Sequence, residues 1–224
     1  MATTSSTTSV GGRCGLRVAL AALIMSMELA TAVAAEPHRF SAVGDRLYYD
    51  ATIPFPSDDS RSIGGTDESE LFYYLEHNPG ILTVVLNATG GSMNVGTAMA
   101  NVIAKFGVDT EVGGRCFSAC TLVFLGGKHR SLAKGGVLGF HRSYVKVPAI
   151  DGSFLPTKGH PAFDAEDVAD EYDYGEDAAM ELIKFMLDHG VDIHFALKAL
   201  RYERVDMWIP SRAELTAAGV LTAP

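Results

Sequence analysis

The sequence predicts an α/β fold with a largely parallel sheet, on the strength of two observations. Short β-branched runs alternate along the chain with segments in which apolar residues recur at helical spacing. Alternation of this kind is typical of right-handed crossovers that join parallel strands. The composition agrees with a globular domain, because 47% of the 224 residues are hydrophobic and 20% are charged.

The predicted elements follow in a regular order. Asp67 and Glu70 have the spacing of a capping box, which predicts a helix that ends before Asn78. A second helix presents an apolar face from Val95 onward, and Gly107 predicts its end. Strands are predicted at 46–53, 81–86, 110–112 and 137–141, a turn at 87–91, a loop at 113–117, and further helices at 118–125, 193–200 and 212–218.

Two long segments follow the last predicted strand. Residues 142–165 contain Pro148, Pro156 and Pro161, which predicts an irregular insertion. Residues 165–188 form an amphipathic pattern, with the acidic residues crowded into the first half, and this predicts a helix.

The first 35 residues have the pattern of a secretory signal peptide. Arg13 and Arg17 flank an apolar run that ends in small residues up to Ala35. The run of about a dozen residues is shorter than the roughly 20 that span a bilayer, so a retained membrane anchor is the lesser alternative. We therefore expect cleavage near Ala35, export to the periplasm or the extracellular space, and one α/β domain over 36–224.

Charge and motif content exclude several classes of partner. A net charge of −9 disfavours nucleic-acid binding, which needs clustered basic residues. The glycine pairs lack the spacing of a phosphate loop or a dinucleotide fingerprint, so neither ATP nor NAD binding is predicted, and no cofactor is expected. Four residues could suggest a metal cluster, but they match no ligand motif and we predict no metal site; they are Asp188, His189, Asp192 and His194.

Ser118 and His141 form the strongest candidate pair for catalysis. A serine hydroxyl needs a neighbouring base to become a nucleophile, and a histidine is the usual one. Ser118 opens an apolar helix, where unpaired backbone N–H groups can stabilise an oxyanion, and His141 ends a strand that can open on the same sheet edge. From the residues alone, the default interpretation is a helix N-cap for Ser118 and a hydrogen-bonded structural residue for His141.

Two of the three cysteines lie four residues apart, on either side of Ser118. If the protein is exported, an oxidising compartment would favour a disulfide between Cys116 and Cys120. A pair of small buried thiols is the alternative, since cysteines at this spacing on one helix rarely have the right geometry. Cys14 would leave with the signal peptide.

Four motifs in order give the chain a family resemblance. Residues 86–92 read LNATGGS, 116–120 read CFSAC and 138–141 read LGFH, and a closing segment runs over 206–221. This order resembles the proteolytic subunit of the Clp protease and its exported relatives, within the wider crotonase superfamily. The resemblance implies a spiral of βαβ units around a largely parallel sheet.

The resemblance also implies roles for individual residues. Ser118 would be the nucleophile and His141 the general base, with the backbone N–H groups of Gly91 and Ala119 as the oxyanion hole. For the third member of a triad, we name Asp206.

Glu203 is the alternative for that third role. The family's acid position, counted from the closing segment, falls on Tyr202, so neither acid occupies the expected place.

The sequence therefore predicts an exported serine hydrolase, a peptidase by resemblance, that works through an acyl-enzyme. Its expected partners are a peptide or protein substrate and further copies of the chain, which would associate through helix 165–188. Two alternatives stay open: an inactive Clp-like envelope protein that serves as a binding module or scaffold, and a crotonase-like enzyme that acts on an acyl thioester without a serine nucleophile.

Overall fold

The computed structural model describes residues 38–55, 60–143, 146–148, 154–156 and 165–223. The predicted signal segment, residues 1–35, lies outside these ranges. Within them, no helix combines the length and the hydropathy that crossing a bilayer requires.

Strands and helices alternate through most of the described chain. The strands are β1 Phe40–Val43, β2 Arg46–Asp50, β3 Thr83–Ala88, β4 Asp109–Phe117, β5 Arg130–Leu132, β6 Val137–Gly139, β7 Lys146–Pro148 and β8 Phe154–Pro156. The helices are α1 Asp67–His77, α2 Met93–Phe106, α3 Ala119–Leu125, α4 Ala165–Asp188, α5 Ile193–Ala199 and α6 Arg212–Ala217, with a 3-10 turn at Arg204–Asp206.

The main sheet has six strands and is mostly parallel. Its order is β1-β2-β3-β4-β5, and β6 is a further partner of β4. Only the β1–β2 pair among these neighbours is antiparallel, and the other pairs are parallel. This confirms the predicted fold class, because parallel neighbours need the helical crossovers that the sequence pattern indicated.

Strand β4 changes its partner strand along its length. Its first half, Thr110–Val112, pairs with β5, and its second half, Arg115–Phe117, pairs with β6. The register with β3 shifts near the middle of β4, where the Asn87 side chain accepts a hydrogen bond from the Arg115 N–H at 3.2 Å. The second half of β4 ends at Phe117 and so leads directly to Ser118.

This long strand corrects one expectation from the sequence. Residues 113–117 were predicted as a glycine-rich loop, which is wrong, because pairing with β6 keeps them extended. Within the segment 142–165, expected to be irregular, β7 and β8 form an antiparallel hairpin. Helix α4 covers Ala165–Asp188, the range predicted for it.

The start of α1 also differs from its prediction. Thr66 is the N-cap and makes no side-chain cap hydrogen bond, so the capping box of Asp67 and Glu70 is wrong. The carboxylate of Asp67 instead lies in the core, where Arg39 binds it. The Asp67 side chain, which the local pattern assigned to the start of the helix, therefore binds the buried Arg39 instead.

Helices α2 and α3 fix the position of the chain around the cleft described below. Every residue of α3 is buried, which suits its continuously apolar sequence. Helix α2 ends at Gly107, whose left-handed backbone donates to the carbonyls of Ile103 and Ala104, as predicted. Because α3 has no exposed residue, the position of this helix is set by packing against the surrounding core.

Candidate active site

A cleft of about 740 Å³ opens beside the start of α3. The residues predicted from the sequence as nucleophile, base and oxyanion hole all line it: Ser118, His141, Gly91 and Ala119. The rest of its wall is largely apolar and includes Ile63, Met93, Phe117, Leu122, Phe140, Leu182, Met186, Val205 and Met207. The fold thus brings together four groups that are scattered over some fifty residues of sequence.

Ser118 occupies a strained turn between β4 and α3. Its backbone has φ 55° and ψ −128°, and it has the only positive φ of any non-glycine residue in the described ranges. Such a conformation costs about 1–3 kcal/mol and persists only where surrounding structure enforces it. The hydroxyl makes no cap hydrogen bond to α3, so the structure does not use this side chain as a helix N-cap.

Neighbouring backbone holds the Ser118 turn in place. The Ser118 N–H donates to the Gly139 carbonyl at 3.0 Å, and the Thr121 N–H and hydroxyl both donate to the Ser118 carbonyl, at 2.8 and 2.7 Å. On the other side lies Gly90, where an added Cβ would stand 2.7 Å from the Ser118 Cβ. Only a glycine lets the chain pass this close to the serine.

His141 is anchored through its chain neighbours to the C-terminal part of the fold. Phe140 and Trp208 exchange two backbone hydrogen bonds of 2.9 Å, and the Arg142 N–H donates to the Tyr202 carbonyl at 2.9 Å. The ring of Tyr202 also stacks on that of Trp208. The neighbours of His141 are therefore held on one side by Trp208, in the predicted closing segment, and on the other by Tyr202, which precedes that segment.

The imidazole is arranged so that its Nε2 can accept a proton. The Arg142 carbonyl lies 2.6 Å from Nδ1, and because a carbonyl can only accept, Nδ1 carries the hydrogen of the neutral ring. Burial lowers the pKa of His141, which is 7% exposed; the Arg142 carbonyl raises the pKa and the charge of Arg204 lowers it. The neutral base is therefore favoured at neutral pH.

The N–H of Gly91 points away from Ile63, the residue that forms a parallel bridge with this glycine. The Gly90 carbonyl accepts a hydrogen bond from the Ile63 N–H at 2.8 Å, and the Ser92 N–H donates to the Ile63 carbonyl at 2.9 Å. In a trans peptide the C=O and the next N–H point in opposite directions, so the Gly91 N–H points away from Ile63. No backbone carbonyl of the described residues accepts from it.

Ala119 supplies the second donor of the predicted oxyanion hole. It is the first residue of α3, where an N–H has no partner within the helix. Gly91 and Ala119 lie on the same cleft as Ser118, and two N–H groups near a nucleophile can stabilise the negative charge of a tetrahedral intermediate.

The two acids named for the third role lie at the surface. Glu203 accepts a hydrogen bond from the Arg142 guanidinium at 2.6 Å, and both side chains are 53% exposed. Asp206 is exposed at the end of the 3-10 turn, with its N–H bonded to the Glu203 carbonyl. The position beside Nδ1 is taken by the Arg142 carbonyl, which is a partner that sequence analysis did not consider.

Cys116 and Cys120 are joined by a disulfide, and both residues are fully buried. Cys116 lies on β4 and Cys120 in α3, so the bond links the two elements on either side of Ser118. The alternative of two free thiols does not hold in this structure.

Three of the four side chains that could have suggested a metal site, those of Asp188, His189 and Asp192, have other contacts. The Asp192 carboxylate caps α5 by accepting from the N–H groups of His194 and Phe195, at 2.9 and 3.1 Å. The Asp188 carboxylate pairs with Lys184, and the His189 Nδ1 with the Phe185 carbonyl.

Sequence analysis missed one wall of the cleft. Ser62 and Ile63, which precede α1, line the cleft, as does Arg204, whose charge acts on His141. Residues 60–65 read SRSIGG, a loop-like composition, and no local pattern could show that Ile63 forms a parallel bridge with Gly91.

Comparison with known proteins shows likeness in structure and none in sequence. No protein-family model and no curated protein sequence matches the chain. A single-substitution mutant of ClpP1 from Listeria monocytogenes matches with a TM-score of 0.53 at 14% identity, over 71% of this chain and 84% of that one. Unmutated ClpP1 from the same organism gives a TM-score of 0.50 at the same identity and coverage. A mutant of the 1510-N membrane-bound stomatin-specific protease matches at 12% identity with a TM-score of 0.47, over 72% of this chain and 73% of that one.

Proposed function

We propose that this chain, which has the fold of ClpP, is an exported serine hydrolase that cleaves peptides or proteins through an acyl-enzyme. The observation that carries the proposal is Ser118 itself. Its strained turn leaves the hydroxyl uncommitted to the helix, in the same cleft as a histidine whose Nε2 is the accepting nitrogen. Strain at one residue that lines a cleft is typical of a functional position.

In the proposed mechanism, the Ser118 Oγ attacks a substrate carbonyl while His141 Nε2 takes the hydroxyl proton. The N–H groups of Gly91 and Ala119 donate to the resulting oxyanion. His141 then returns the proton to the leaving amine, and a water molecule, activated by the same imidazole, hydrolyses the acyl-enzyme. The Arg142 carbonyl holds the ring through Nδ1 in all of these steps.

Labelling with a fluorophosphonate probe tests the nucleophile. We expect the wild-type protein to be modified on Ser118, Ser118→Ala to be unmodified, and His141→Ala to react at least about 100-fold more slowly. Ser143→Ala is the matched control, because Ser143 lines the same cleft and has no role in the proposal. Glu203→Gln should slow labelling by less than about tenfold, since Nδ1 already has a partner.

Two results would contradict the proposal. Labelling that survives Ser118→Ala removes this serine from the mechanism and favours a crotonase-like reaction on an acyl thioester. A folded wild-type protein that does not react with the probe, and does not cleave peptides, favours the binding-module alternative. Asp206→Asn tests the acid named for the third role, and complete loss of labelling in this variant would make Asp206 part of the mechanism.

Export is the second part of the proposal, and the disulfide between Cys116 and Cys120 supports it, because disulfides persist mainly in oxidising compartments. The full chain expressed in a Gram-negative bacterium should be recovered from the periplasm. Its mass should correspond to a chain that begins at Glu36. A variant without residues 2–35 is the control and should stay in the cytoplasm. Recovery of the uncleaved chain in the membrane fraction would support an anchor instead.

Self-association is the third part. Over residues 173–188, the part of α4 whose side chains the structure describes, the exposed large apolar or aromatic side chains are Tyr174, Met180 and Leu187. Exposed apolar groups on one helix are consistent with contact to another copy of the chain. Light scattering measures the mass of the protein in solution and so tests whether copies associate.

A further inference from the structure

Arg39 and Asp67 form an ion pair in the core of the protein. Arg39 is 5% exposed and Asp67 is fully buried. The Arg39 Nη1 donates to both carboxylate oxygens at 2.9 Å, and the Tyr49 hydroxyl donates to Asp67 at 2.6 Å. The cost of desolvating two charges can exceed the attraction between them, so a buried pair of this kind is not explained by stability alone.

The same two side chains hold residues 62–64. The Arg39 Nη2 donates to the Ser62 carbonyl at 2.8 Å, and the Asp67 carboxylate accepts from the Gly64 N–H at 3.0 Å. These bonds fix the backbone on both sides of Ile63.

Ile63 in turn contacts the glycine turn, which we define as residues 90–92. Its N–H and carbonyl bond to Gly90 and Ser92, as described above. The contact is so close that a Cβ on Gly91 would lie 2.2 Å from the Ile63 carbonyl oxygen. The direction of the Gly91 N–H therefore depends on where Ile63 is held.

We propose that the buried Arg39–Asp67 pair positions the oxyanion-hole donor of this enzyme, by holding residues 62–64 against the glycine turn. The inference rests on the proposed function for its catalytic meaning. Neither side chain lines the cleft, so both are positioning residues and touch no substrate. The pair contributes to stabilisation of the transition state, because the Gly91 N–H donates only when an oxyanion forms.

A second buried arginine offers a matched control. Arg130 is 6% exposed and donates to backbone carbonyls of residues that do not line the cleft. Its acceptors are Leu125, His189, Gly219 and Val220. Loss of either guanidinium removes a buried, multiply bonded group, but only Arg39 is connected to the glycine turn.

The first measurement does not depend on activity. Arg39→Lys keeps a positive charge but loses the planar guanidinium, whose Nη1 binds Asp67 while Nη2 binds Ser62, so we expect the bond to Ser62 to be lost. Hydrogen exchange followed by NMR should show the amides of Ile63 and Ser92 exchanging about tenfold faster or more in Arg39→Lys, through local opening. In Arg130→Lys the same two amides should exchange as in the wild type.

The second measurement separates binding from reaction. With increasing fluorophosphonate concentration, the maximal labelling rate of Arg39→Lys should fall by about tenfold or more, while the half-saturating concentration stays unchanged. Tyr49→Phe removes one donor to Asp67 and leaves the pair in place, so its rate should lie between those of the wild type and Arg39→Lys. It also replaces Arg39→Lys in both measurements if that variant does not fold.

Unchanged exchange at Ile63 and Ser92 in the Arg39 variant overturns the inference, as does an equal loss of rate in the Arg39 and Arg130 variants. A wild-type protein that is never labelled defeats the proposed function instead. In that case the exchange experiment still decides whether the pair holds the glycine turn.

Discussion

Replacing Gly90 by alanine tests whether close packing holds the Ser118 turn. Gly90 has φ +107°, and an added Cβ would meet the Ser118 Cβ at 2.7 Å and the Phe117 carbonyl oxygen at 3.0 Å. These are backbone or near-backbone atoms, so the chain around the serine must move to admit the methyl group.

Gly135 provides the comparison. It also has a positive φ, +84°, but an added Cβ there would meet no atom within 4 Å. Gly135→Ala should therefore cost only the backbone strain, about 1–2 kcal/mol. Gly90→Ala should cost that strain plus about 1–3 kcal/mol of overpacking, or about 2–5 kcal/mol in total. The effect of alanine on the unfolded chain is shared by both variants and cancels in their difference.

Urea denaturation measures the two free energies of unfolding, and fluorophosphonate labelling measures the effect on the serine. A displacement of about 1 Å can cost on the order of 100-fold in rate, so Gly90→Ala should label far more slowly than Gly135→Ala. Equal stability losses and equal labelling rates in the two variants would refute the reasoning, because the contact with Ser118 would then have no consequence.

Two further predictions concern the base and the disulfide. Because the pKa of His141 is lowered from 6.5, its neutral form persists to lower pH, and the acid limb of the labelling rate should lie below pH 6.5. Arg204→Gln removes a charge that lowers this pKa, so the limb should move to higher pH; a shift to lower pH would contradict the assignment. Replacing Cys116 and Cys120 by alanine should cost about 2 kcal/mol, the chain-entropy value for so short a loop. Labelling should also slow, and an unaltered rate would show that the bond does not restrain the turn between the cysteines.

The sequence was a good guide wherever neighbours along the chain decide the structure. Apolar periodicity from Val95 and the glycine at 107 predicted α2, which the structure has as Met93–Phe106. Ser118 was placed correctly at the start of α3, although its positive φ was not foreseen. Such features depend on residues within one or two helical turns, and so they can be recognised locally.

The failures arise where a distant residue takes part. Asp67 has the spacing of a helix cap, but its carboxylate accepts a hydrogen bond from Arg39, which lies 28 residues earlier. Residues 113–117 have the glycines of a loop, but β6 pairs with them and extends β4. The Nδ1 partner of His141 is a backbone carbonyl, which no pattern of side-chain types can show.

The pairing of Phe140 with Trp208 also has a consequence for the order of events during synthesis. A ribosome delivers His141, which follows β6, well before Trp208, so a partly made chain lacks the contact that holds Phe140 beside the histidine. Contacts between residues so far apart in sequence also form late in folding, because closing the long intervening loop is entropically costly. If the protein is an exported hydrolase as we propose, its nascent chain would be inactive before export. It would become able to cleave peptides only after the C-terminal part of the chain has folded.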